Sequence, residues 1–160
     1  MMSRALLVVG FLAAVGFAAS GALGYGIAAN PETFQTHLLV GLISCLLLLF
    51  SHCWVMFFLI GTGKAIKDAV RENGLEAEIV ARTKRFKAET FGWALLAMGL
   101  AMAAFILGGG VATGAVPKVV HHALFYLALA AQVWALRCET RALLANDRLM
   151  ADLNQRLESA

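Results

Sequence analysis

The spacing of its charges constrains this chain more than any other feature. No Asp, Glu, Lys or Arg lies between Arg4 and Glu32, between Glu32 and Lys64, or between Glu89 and Lys118, and a fourth bare stretch runs from Lys118 to Arg137. A helix crosses a hydrocarbon core of roughly 30 Å with about 20 apolar residues, and each stretch is long enough. The runs lack the alternation of barrel strands, and a backbone in lipid must satisfy its own hydrogen bonds, so helices are the expected elements. Hydrophobic residues make up 61% of the 160 positions and charged residues 14%, against roughly 45–50% and 25% in a soluble domain. The expectation is an all-α integral membrane four-helix bundle forming one domain, with spans at about 5–28, 34–62, 91–112 and 118–137. A helical hairpin over 63–90 and a helical tail over 138–160 are left outside the bilayer.

Charge sign orients the spans. Arg4 precedes the first, Lys64, Lys67, Arg71, Arg82, Lys84, Arg85 and Lys87 lie between the second and third, and Arg137, Arg141, Arg148 and Arg156 follow the fourth. Only Lys118 falls on the other side. By the positive-inside rule both termini and the 63–90 hairpin are expected in the cytoplasm, in a cell inner membrane, with helices two, three and four extending beyond the bilayer. The basic clusters are therefore read as topology, and nucleic acid is not an expected partner. The apolar run from Ala5 to about Ala29 exceeds the usual 7–15 residues of a signal-peptide core, so it is read as a span. Cys45, Cys53 and Cys138 form no CxxC pair and give neither a disulfide framework nor a zinc signature.

Local signals place the boundaries. Asn30-Pro31 reads as a cap and first turn for helix two, Asn73-Gly74 as its C-terminal cap, Gly108-Gly109-Gly110 with Gly114 as the end of helix three, and Pro117 as the opening of helix four. The tail carries Leu143, Asn146, Met150, Leu153 and Leu157 at spacings of three and four, a seam that packs either on the chain's own hairpin or on a partner. The chain is expected to have no internal repeat, low-complexity region or long linker.

Ionisable groups inside spans are rare and usually face a bundle interior or a pathway. His37 and His121 fall at similar depth near the outer ends of helices two and four, which run in the same direction. Below His37, Gly41, Ser44, Leu48 and Ser51 share its face; below His121, Ala128, Gln132 and Glu139 do. His122 falls instead with Leu129, Val133 and Leu136, which sends it to lipid, an interface or a supporting role. Two facing imidazoles between helices of a bundle are a haem-ligating arrangement. The candidate cofactor site is thus His37 and His121 with Gly41 and Ser44, holding haem b; Gly24, Gly26 and Gly108–Gly110 leave room for a flat macrocycle. Copper or zinc on His37, His121 and His122, or no cofactor at all, are the alternatives. His52 lies about 22 Å deeper, where Gln132 and Glu139 are in reach as an inner polar layer, either structural or part of a proton or quinone site. The leading expectation is a small electron-transfer subunit, more a carrier than a stand-alone enzyme. The runner-up is a cofactor-free accessory or assembly subunit whose extramembrane helices bind a protein partner or a second copy.

Overall fold

The computed structural model of the protein describes residues 2–159. It consists of four helices, α1 (Met2–Gly26), α2 (Thr33–Glu72), α3 (Ala77–Ala112) and α4 (Lys118–Glu158), and among the described residues no strand forms. All four are long and apolar enough to cross a membrane. Short connections make successive helices antiparallel neighbours: α1 packs on α2, α2 on α3, α3 on α4 and α4 back on α1, while α2 and α4 approach across the diagonal.

The packing inverts that of a soluble bundle. Small residues fill the interior, with Ala13, Ala94, Ala97, Ala101, Ala104 and Ala135 all buried, while Phe11, Phe57, Ile106 and Val133 are more than half exposed on the outside. Lipid provides no drive to bury large side chains, so helices in a bilayer associate by close backbone approach across small residues.

The boundaries refine the expected ones. Asn30 does not cap α2 itself; its Oδ1 accepts the Glu32 backbone N–H at 3.1 Å, and the helix starts at Thr33. Asn73-Gly74 does close α2, with Gly74 in the left-handed region at φ 62° and Leu75 N–H donating back to Val70 O. The glycine triplet does not end α3. The helix continues to Ala112, and the turn falls at Gly114, φ 74°, where Ala115 N–H donates to Gly110 O.

Beyond the apolar spans, α2, α3 and α4 continue together. Ile66, Val70 and Ile79 pack against Leu149 and Leu153, with Leu75, Met150 and Leu157 around them. The seam of the tail is therefore occupied by the chain's own hairpin. Next to it, Ser3 at the start of α1 donates to Asp147 Oδ1 at 2.6 Å.

A repeat absent from casual inspection of the sequence emerges from burial. In α1, Leu6, Gly10, Ala13, Phe17 and Ser20 are buried; 84 positions later, so are Thr90, Ala94, Ala97, Ala101 and Ala104 of α3. In α2, Ser44, Leu48, Ser51, Val55 and Leu59 are buried, and so are Ala128, Gln132, Ala135, Glu139 and Leu143 of α4 at the same offset. The chain is two equivalent helical hairpins, and identity between them is low because small and large residues exchange places at matching sites.

Candidate functional site

Each hairpin holds one histidine in the same way. His37 Nδ1 donates to Ser20 O at 2.8 Å and His121 Nδ1 donates to Ala104 O at 2.9 Å, in both cases across 17 positions of chain. A backbone carbonyl only accepts, so each ring carries its proton on Nδ1 and keeps the lone pair on Nε2. Among the described residues neither Nε2 has a hydrogen-bond partner. Glycine seats each ring from below. A Cβ built on Gly24 would lie 3.0 Å from His37 Cε1, and one on Gly108 would lie 3.0 Å from His121 Cε1.

The two rings face each other with centres 6.4 Å apart and planes at 84°. They line a cavity of about 480 Å³ whose walls are mainly apolar, from Phe17, Phe34, Leu38, Phe105 and Phe125, with Gly21, Gly24, Gly41, Gly108 and Gly109 lowering the floor. That volume falls in the range of pockets for small molecules and cofactors, about 300–1,000 Å³. Lys118, the one basic residue expected at this end, also lines it. At the rim Tyr25 and Tyr126 join hydroxyl to hydroxyl at 2.7 Å.

The residues singled out in the sequence divide accordingly. His37, His121 and Gly41 line the cavity. Ser44 does not: it faces α1, its Oγ occupying the space above Gly16, and it serves close approach of α1 and α2. His122 reaches the cavity wall but packs on Tyr25, ring centres 5.0 Å apart. Among the described residues no group of three or more His, Cys, Asp or Glu is arranged to hold a metal ion. The carbonyls of Ser20 and Ala104, which set both tautomers, escaped sequence reasoning; the shared 17-residue separation is the signal that locates them.

The inner polar layer forms as a triad. His52 Nδ1 lies 2.6 Å from Glu139 Oε1 and His52 Nε2 lies 2.7 Å from Gln132 Oε1, all three side chains being at most 2% exposed. Gln132 Nε2 is buried without a partner. Comparisons with protein-family models, curated proteins and solved structures found no match for this chain.

Proposed function

We propose that this protein is a small electron-transfer subunit of the inner membrane that binds one haem b between α2 and α4, with His37 and His121 as the two axial ligands. The observation that carries the reading is the pair of imidazoles with Nδ1 tied to a carbonyl and Nε2 open to one shared cavity. Tying Nδ1 fixes the ring orientation and makes Nε2 a better donor to a metal. The two ring centres stand 6.4 Å apart and both residues line the cavity, so His37 and His121 would hold the iron between them. A bare copper or zinc ion fits less well, since it takes three or four protein ligands and among the described residues no group of three or more His, Cys, Asp or Glu is arranged to hold one. A porphyrin brings its own four nitrogens, and its iron, changing between ferrous and ferric, carries one electron.

The rest of the chain holds this site. The glycine floor and phenylalanine walls suit a flat apolar ring, and Lys118 at the margin suits its anionic substituents. Twelve of the thirteen basic residues lie at the opposite end, which supports an orientation with the cavity outward and both termini in the cytoplasm. Purified protein reconstituted with haem should give a reducible Soret and α-band spectrum, lost in His37→Ala and in His121→Ala. A preparation that binds no haem under those conditions rejects the assignment.

A further inference from the structure

The two hairpins provide a control inside the molecule for the buried triad. His52, Gln132 and Glu139 correspond, at the 84-residue offset, to Leu136, Leu48 and Val55. Leu48 and Val55 are as deeply buried as the polar residues they match. Leu6, which packs with Val55 and Leu59, corresponds to Thr90, whose buried hydroxyl has no partner. The equivalence thus relates two sets of positions, each drawn from α2 and α4: one set, Leu48, Val55 and Leu136, is apolar, and the other holds an imidazole, an amide and an acid. Packing alone does not call for them, and replacing a buried ion pair by well-fitted apolar residues is commonly neutral or stabilising.

We propose that His52, Glu139 and Gln132 form a proton-binding site in the bundle interior, loaded and emptied from the basic end. In the arrangement seen, Nε2 meets the Gln132 oxygen and so carries a proton, and a second proton lies between Nδ1 and the Glu139 carboxyl group. This leaves the Gln132 Nε2 protons without a partner. When the proton leaves, Nε2 of His52 becomes an acceptor, and a half-turn of the Gln132 amide brings its N–H2 onto that nitrogen. The orphaned donor of one state is the needed donor of the other.

The route outward follows α4. Gln132, Glu139 and Asn146 succeed each other at heptad spacing, all turned inward, and Asn146 accepts from Thr62 while its own Nδ2 is buried and unpartnered. Asp147, exposed beside it, bonds Ser3. The other charged groups around the triad are Arg4 on α1, Lys87 and Glu89 on α3, and Arg137 and Arg141 on α4; all are exposed except the half-buried Lys87, and Cys53 and Cys138 are half-buried. Among the described residues Glu139 is the one charge in direct contact with His52.

The inference goes beyond the haem reading and needs no bound group to be tested. Full-length protein in lipid would be followed by infrared difference spectroscopy and by nitrogen NMR of labelled histidine between about pH 5 and pH 9. His52 should change protonation within that window, with a coupled change in the Glu139 carboxyl signal absent from Glu139→Gln. The variant His52→Leu/Gln132→Leu/Glu139→Val, which copies the apolar residue at each equivalent position, should lose both signals and melt no lower than wild type. A His52–Glu139 pair with constant protonation across the window overturns the proposal. So does a triple variant that melts far lower, because the cluster would then be structural.

Discussion

Gly108 and Gly109 are adjacent, yet replacing each by alanine should have opposite effects. A Cβ at Gly108 would stand 3.0 Å from His121 Cε1, whereas carbon atoms rest at about 3.5–4.0 Å. The ring must withdraw by roughly 0.5 Å. It is tied at Nδ1 to Ala104 O at 2.9 Å, so the withdrawal stretches that bond past its useful range. Losing such a bond costs about 0.5–1.5 kcal/mol, or roughly 2- to 10-fold in affinity for a group held by the ring. At Gly109 a Cβ meets nothing within 4 Å, and alanine there gains up to about 0.8–1.0 kcal/mol of helix propensity. Gly108→Ala should therefore lower the melting temperature of the detergent-purified protein and weaken haem binding in a Soret titration, and Gly109→Ala should raise the melting temperature of the haem-free protein. Gly24→Ala, by the equivalence of the hairpins, should reproduce Gly108→Ala. Equal responses at 108 and 109 would mean that the imidazole is not seated on the helix backbone as described.

Cysteines introduced at Thr33 and Gly114 should react with an impermeant reagent in intact cells, and those at Asn73 and Ser159 only after permeabilisation; the reverse pattern would invert the topology. His122→Ala should retain more haem than His37→Ala or His121→Ala, because His122 packs on Tyr25 and lies off the shared axis; equal losses in absorbance would make it a ligand. Leu149→Ala empties part of the cluster with Ile66 and Ile79 and should cost about 2–5 kcal/mol in the extramembrane bundle, measured by denaturant unfolding or by faster proteolysis near 73–76. Truncation after Arg141 should leave the four spans inserted in a fractionation assay while the 63–90 hairpin becomes protease-sensitive; continued resistance would show that the tail does not cover it.

Charge gaps made the four helices legible, since each of the four uncharged stretches has 18 residues or more, enough for a span. Helical phase also served well: it placed Gly41, Ser44, Leu48 and Ser51 on one inward face and Ala128, Gln132 and Glu139 on another, and all seven are buried. What it could not resolve is what each inward residue meets. Ser44 points inward but toward Gly16 of α1, a matter of which neighbour lies on that side. The glycine triplet was read as a helix end because glycine commonly terminates helices in water; in a tightly packed bundle Gly108 and Gly110 instead make room for His121 and Val116. The repeat stayed hidden because its halves complement rather than resemble one another.

That complementarity governs which halves associate. Gly21 of α1 receives the ring of Phe125 from α4, and Gly41 of α2 faces Phe105 of α3. The equivalence of the hairpins turns Gly21 into Phe105 and Gly41 into Phe125, so at both places a knob meets a notch. Two copies of the first hairpin would oppose glycine to glycine and leave voids. Two copies of the second would drive phenylalanine into phenylalanine. Each half is thereby disfavoured from pairing with its own kind, in a bilayer where close packing is the main force holding helices together. At these positions each hairpin therefore fits the other better than it fits a copy of itself.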